Sequence, residues 1–175
     1  YLEDVHKASM LRNLGSVLKA SSIPEFKSYK RKEIEKKGIK ETVKTISDAF
    51  KNKTIIIRSS SILEDSCAQS NAGAFYSSNE VNTNNHDELA IEIKKVIESY
   101  ERKGDQSEKS EIIFQEYQKE VAMSGVLFTH DLNHGSPYYV INYDDVSGLT
   151  NTVTSGETDY ANRTLYIHRG AWESV

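Results

Sequence analysis

The chain has 175 residues, of which 37% are hydrophobic and 27% charged, enough for one domain with a core or for part of a larger one. A net charge of −4 argues against a general nucleic-acid binder, which needs a basic face. No apolar run approaches the roughly 20 residues that span a bilayer, and a single cysteine, Cys67, excludes an internal disulfide framework and a multi-cysteine zinc site.

The opening Tyr1-Leu2-Glu3-Asp4 has neither an initiator Met nor the basic start and apolar core of a signal peptide. The chain closes on Trp172-Glu173-Ser174-Val175 without punctuation. The expectation is a piece of a longer, cytoplasmic protein, with no membrane or nucleic-acid partner.

Residues 4–20 predict an amphipathic helix, with Val5, Met10, Leu11, Leu14, Val17 and Leu18 at helical spacing. Ser21-Ser22-Ile23-Pro24 stops it, since the residue before a proline avoids the helical region. A short extended piece is expected around 25–29. A second helix spans 31–51, with Gly38 placed to bend or divide it. Thr54–Arg58 is a β-branched run closed by an arginine and suits a central strand covered on both faces. Residues 59–85 have no helical period and predict a long loop, with room for a short strand near 74–78.

A further helix runs over 86–103, with Asn85 or Asp87 as its cap and Gly104 at its end. After a polar linker at 105–110 the pattern changes to period two, and 112–118, 122–129, 138–143 and 164–168 read as strands, with a turn at Asn133–Ser136. Helices and a strand followed by a mainly antiparallel region predict α+β rather than a doubly wound sheet. The domain reading is a single partial domain over 1–175, with a sub-boundary near 105–110.

Ile57-Arg58-Ser59-Ser60-Ser61 delivers an arginine where an apolar strand emerges. Its planar fork of donors suits phosphate oxygens. The serines add hydroxyls, and Asn71-Ala72-Gly73-Ala74 can bring backbone N–H groups close to an anion. The alternative is that Arg58 pairs with Glu64 or Asp65 and caps the sheet. Lys7 lies at the edge of an apolar helix face, where a lysine is ordinarily solvated. Gln115 sits in an apolar strand, so its amide must bond either a ligand or an adjacent backbone.

His130-Asp131 and His134 share a turn and read as exposed loop residues or a weak metal site. Cys67 has no neighbour in sequence that lowers its pKa. Asp144-Asp145, Glu157 and Asp159 read as loop charge, with Mg²⁺ as the alternative. The strand Tyr138–Tyr143 reads as core and sheet surface rather than a nucleobase platform.

Together these segments resemble a known family. Ile57-Arg58-Ser59-Ser60-Ser61, Glu64-Asp65 and Ala72-Gly73 resemble a signature of the nucleotide-binding domain of phosphoenolpyruvate synthase and pyruvate phosphate dikinase, shared by rifampicin phosphotransferase and glucan water dikinase. Ile113-Phe114-Gln115, Met123–Thr129, Ser147-Gly148-Leu149 through Val153 with Ser155-Gly156-Glu157, and His6-Lys7-Ala8 with Leu11 resemble further motifs of that family. The resemblance covers nearly the whole chain. It implies a partial ATP-grasp-like nucleotide-binding domain, a mixed to antiparallel sheet flanked by helices. It also implies ATP phosphoryl transfer to a histidine on another domain and then to pyruvate or another acceptor.

Carried over, Lys7 and Arg58 match phosphate-contacting cations, Arg58 also stabilising charge in transfer. Ser77 stands at a hydroxyl position after the Ala-Gly loop, and Gln115 at the adenine side. Glu116, Tyr117 and Gln118 stand at a hinge where backbone groups meet the adenine edge. The implied cofactors are ATP and Mg²⁺, with the metal ligands, the histidine domain and the acceptor domain outside this chain, so the fragment alone is not expected to catalyse the full reaction. Val5 and His6 replace glycines of the pattern, Asn71 an aromatic, and Thr150-Asn151 follow Gly148-Leu149. These departures motivate the alternative, a non-catalytic module that keeps the fold for interaction or regulation.

Overall fold

The computed structural model describes residues 6–64, 75–149, 152–155 and 162–171. The predicted features at Val5, Asp65, Cys67, 71–74, 150–151, Glu157 and Asp159 lie outside the described residues. The fold is α+β, with two sheets, and every strand pairing among the described residues is antiparallel. The chain divides into two compact units, Tyr1–Tyr117 and Gln118–Val175, so the polar linker at 105–110 lies inside the first.

In chain order the first unit contains α1 (Lys7–Val17), β1 (Phe26–Lys30), α2 (Arg31–Lys37), α3 (Ile39–Ala49), β2 (Thr54–Ser60), β3 (Val81–Asn82), α4 (His86–Arg102) and β4 (Glu111–Glu116). Gly38, at φ +89°, divides α2 from α3, a turn that side chains resist. Asn85 caps α4, its side chain accepting from the Glu88 N–H at 3.2 Å. The strands form one sheet in the order β1-β4-β2-β3.

Successive side chains on a strand point to opposite faces, so the register assigns each residue a side. Ile57 lies opposite Phe114, and Ser59 opposite Ile112. These apolar residues, with Ile55 and Val81, pack against α3 and α4 through Val43, Ile46, Phe50, Leu89, Ile93, Val96 and Tyr100. The other face carries Arg58 opposite Ile113, Ile56 opposite Gln115 and Ser60 opposite Glu111.

Tyr100 joins the two central strands. Its buried hydroxyl accepts from the Ser60 N–H at 2.8 Å and donates to the Glu111 carbonyl, bridging the end of the β2–β4 ladder. Burial pushes the phenol pKa up, and the Ser60 N–H only partly opposes that. Beside it, Asp105 is fully buried and accepts from the Ser61 and Ser110 hydroxyls, both at 2.6 Å, and from the Ser107 N–H at 2.8 Å.

The second unit holds β5 (Ser124–Phe128), β6 (Tyr138–Asp144), α5 (Thr152–Ser155) and β7 (Arg163–His168), with the sheet order β5-β6-β7. Gly125 lies opposite Tyr143, and a Cβ there would stand 2.7 Å from the Asn142 carbonyl, so only glycine lets the strands close. The expected turn at 133–136 is present, with the Gly135 N–H donating to the Asp131 carbonyl at 2.8 Å and Gly135 at φ +65°. No helix of the described residues is long and apolar enough to cross a membrane.

Most expected elements are present, and the differences have local causes. The first helix ends at Val17, because Leu18 is already extended. The stretch near 74–78 contributes a single bridge, Ser77 to Arg58, and the regular strand of that loop is β3. Tyr100→Phe removes the bridge between Ser60 and Glu111 and leaves a buried donor and acceptor unpaired. The expected loss of stability is about 1–3 kcal/mol, read from urea unfolding with an unchanged denaturant slope.

Candidate functional site on the first sheet

Three of the five expected ligand residues belong to two strands or pair with them. Arg58 is on β2, Gln115 on β4, and Ser77 lies opposite Arg58. The Ser78 hydroxyl accepts from the Ile57 N–H at 2.7 Å, and the Ser78 N–H donates to the Ile57 carbonyl at 2.8 Å, which fixes Ser77 in that register. Directly opposite residues share a face, so Ser77, Arg58 and Ile113 form one row, and Ile56 and Gln115 form the next. Diagonal neighbours on adjacent antiparallel strands stand about 7–8 Å apart, which is the scale separating Arg58 from Gln115.

Among the described residues, two of these side chains have no partner. Arg58 is half-buried and pairs with no described residue. Gln115 is only 7% exposed, and its amide makes no hydrogen bond to any described residue. The amide is not among the buried side-chain atoms left without a partner, so it reaches solvent and is open to a ligand group or water. Ser77 is exposed and presents its hydroxyl beside Arg58.

Lys7 follows a different course. Its ammonium pairs with the Glu64 carboxylate, which is buried and also accepts from the Ser59 hydroxyl at 3.2 Å. The alternative of an Arg58–Glu64 pair is therefore not what forms. Tyr117 is half-buried just beyond β4, and its N–H donates to the Thr54 carbonyl at 3.0 Å. The Glu116 N–H donates to the Glu25 carbonyl at 2.8 Å. The N–H groups of Glu116 and Tyr117, two of the three hinge residues, are thus committed within the unit.

The three serines after Arg58 also turn inward, and all are buried. Ser59 donates to Glu64, and Ser61 donates to Asp105. Ser60 Oγ lies 2.9 Å from His6 Nδ1 and accepts from the Ala8 N–H at 2.9 Å. Their hydroxyls hold the fold around the arginine rather than a phosphate. The reason is positional: they occupy the strand end where α1, α4 and the loop after Gly104 converge.

The structure adds a network that sequence reasoning missed. Glu111 opens β4 and receives a bidentate pair from Arg12, both bonds at 2.8 Å. Arg12 also donates to the Ser28 hydroxyl at 2.6 Å. His6, 5% exposed, stands with Nε2 3.8 Å from Glu111 Oε1. Burial alone would raise the Glu111 pKa, but hydrogen bonds from Arg12 and Ser28, with the charge of Arg12, hold it below the usual carboxylate range. The signal available in sequence was a lone carboxylate opening an apolar strand; its partners are far along the chain.

The remaining candidates resolve into local structure. His134 Nδ1 lies 3.1 Å from Asp131, and this hydrogen bond, foremost, lowers the Asp131 pKa. His130 Nε2 is 2.9 Å from Arg169 Nη1. Asp144 is buried at the end of β6 and accepts from the Ser147 and Thr152 hydroxyls and the Val146 and Ser147 N–H groups, which hold its pKa well below normal. Asp145 pairs with Arg163 at 3.0 Å. Tyr138–Tyr143 belong to β6, the middle strand of the second sheet. Among the described residues, no group of three or more His, Cys, Asp or Glu is placed to hold a metal ion.

No protein-family model matches the chain, and no curated protein matches it in sequence.

Because the Glu111 pKa is lower folded than unfolded, its contribution is full above the unfolded value of about 4.5 and is lost as pH falls through the folded value. Wild type is expected to lose stability in this acidic window more steeply than Glu111→Gln. Denaturant unfolding of the two proteins between roughly pH 2.5 and 6 measures the difference.

Proposed function

We propose that the chain is the ATP-binding portion of a phosphotransferase resembling phosphoenolpyruvate synthase. The reading takes the phosphoryl group from ATP to a histidine on another domain of the parent protein, and then to pyruvate or another acceptor. The observation that carries it is the placement, on adjacent rows of one sheet face, of Arg58 and Gln115, whose side chains bond to no described residue.

The chemistry of that pair suits a nucleotide. Arg58 would hold phosphate oxygens with parallel N–H donors and offset charge that develops during transfer. Ser77 would add a hydroxyl to the same anion. Gln115 offers one acceptor and two donors, the pattern an adenine edge needs. Tyr117 would supply a ring beside the base, since its N–H is already used. In this reading Mg²⁺ is held by carboxylates beyond this chain, and the cellular setting is cytoplasmic.

A second reading has its own support. Lys7 is neutralised by Glu64, and the three serines are consumed internally. That favours a module that binds a nucleotide or anion without transferring phosphate.

Both readings require binding, and calorimetry with Mg-ATP tests it. Arg58→Ala is expected to weaken binding at least tenfold, as loss of a charge-assisted bidentate contact does. Gln115→Ala is expected to weaken ATP but not inorganic tripolyphosphate. Unchanged affinity in both variants would remove the nucleotide reading. Phosphohistidine formation in the full-length parent then separates transfer from mere binding.

A further inference from the structure

β1 is the outer strand of the first sheet, hydrogen-bonded to β4 on one side and to no described strand on the other. The parity of the β1–β4 ladder decides which backbone groups are left over. The Glu116 N–H donates to the Glu25 carbonyl at 2.8 Å, and the Arg31 N–H to the Ser110 carbonyl at 2.9 Å. Ladder bonds fall on alternate residues of an antiparallel pair, so Lys27 and Tyr29 also turn toward β4. Phe26, Ser28 and Lys30 turn their N–H and C=O groups outward, where no described residue meets them.

Two features give this edge a chemical preference. Tyr29, opposite Ile112 on the helix-covered side, borders a cavity of about 190 Å³ whose lining includes Ile34, Thr42, Thr45 and Ile46. That is room for one aliphatic side chain. Lys27 and Lys30 are exposed, and neither forms an ion pair with a described residue. The neighbouring carboxylates, Glu25 and Glu108, are already held by Lys53 at 2.7 Å and by Lys32 at 2.8 Å.

We propose that β1 takes an extended, acidic segment of a partner protein as a fifth strand of this sheet. The segment's backbone pairs with Phe26, Ser28 and Lys30. An aliphatic residue opposite Tyr29 enters the cavity, and carboxylates stand opposite Lys27 and Lys30. A strand added to an open edge takes affinity from main-chain bonds and specificity from pockets for alternate side chains. Lysines on an edge ordinarily discourage pairing. Here they disfavour a second copy of this chain, which would bring the same lysines to the seam, and favour an acidic strand. The proposal is independent of the nucleotide reading, whose Arg58 and Gln115 lie on the inner strands.

Lys30 allows a test that spares the fold. Its φ of −59° is the value that proline fixes, and Tyr29 before it is extended, as the residue before a proline prefers. Its N–H points outward, so Lys30→Pro removes a docking donor and a charge but no bond to β4.

The probe is the blocked, dye-labelled peptide Thr-Glu-Val-Thr-Glu-Val-Thr, titrated with the 175-residue chain and read by fluorescence anisotropy. Run antiparallel to β1, it sets its glutamates opposite Lys30 and Lys27 and its first valine opposite Tyr29. Wild type is expected to bind it at least about tenfold tighter than the same peptide with lysines for glutamates. Serine in place of the first valine is expected to cost about tenfold, the order that burying one such side chain provides. Lys30→Pro is expected to weaken binding at least about tenfold, because a main-chain bond and a charge pair are both lost. Lys27→Glu is expected to shift preference toward the lysine peptide, which keeps the proposal testable if thermal unfolding shows that Lys30→Pro folds poorly.

Equal affinity for the glutamate and lysine peptides overturns the proposal. So does a folded Lys30→Pro protein that binds as tightly as wild type. A concentration-dependent dimer in analytical ultracentrifugation that Lys30→Pro abolishes also overturns it, since a second copy is then the added strand.

Discussion

The register between β2 and β4 decides what every nearby residue does. Side chains alternate along a strand, so a slip of one residue would exchange the two faces. In the observed register Ile57 and Phe114 meet on the helix-covered side, while Arg58, Gln115 and Glu111 meet on the other. The same register puts the Ser60 N–H and the Glu111 carbonyl within reach of one Tyr100 hydroxyl. Core, site and anchor thus share one alignment. The gain from burying several Ile and Phe side chains, each worth about 1.5–3 kcal/mol, holds it against the alternatives.

The strand end that carries Arg58 is unusually polar for a buried region. Ser59, Ser60, Ser61, Asp105 and Glu64 are all buried, and each has a hydrogen-bonding partner. Burying such groups is tolerable only when they are satisfied, and a satisfied network in a low-dielectric interior is stiff. Arg58 therefore leaves a rigid base. A guanidinium on a rigid base loses less freedom when it grips an anion than one on a loop would.

The strands and helices were readable because their periods were clean. Val43, Ile46 and Phe50 repeat on a helical face, and Ile55 to Ile57 form an uninterrupted β-branched run. Local signals also marked Gly38 as a break and Asn85 as a cap, since a positive φ and an N-cap each favour particular residue types. Arg58, Ser77 and Gln115 were legible as polar residues in apolar or loop settings, and pairing places them on one face. The partner choices were not legible. Lys7 with Glu64, Arg12 with Glu111 and Ser61 with Asp105 join residues 57, 99 and 44 positions apart, and only the folded sheet brings them together. The apolar stripe on α1 also misled. Met10, Leu14, Val17 and Leu18 are exposed, and the helix docks instead through His6, Ala8 and Arg12.

That mode of docking gives α1 a separate place in the thermodynamics of the chain. Elements held by many buried apolar contacts open only when the whole unit unfolds, whereas one held by a few polar bonds opens at lower cost. Of the residues in α1, only Ala8 is buried. The helix is thus the element of this sheet best suited to detach and return while the core stays folded. Lys7 travels with it, so each such excursion would uncover the Glu64 carboxylate to water and briefly remake the charge of the strand end.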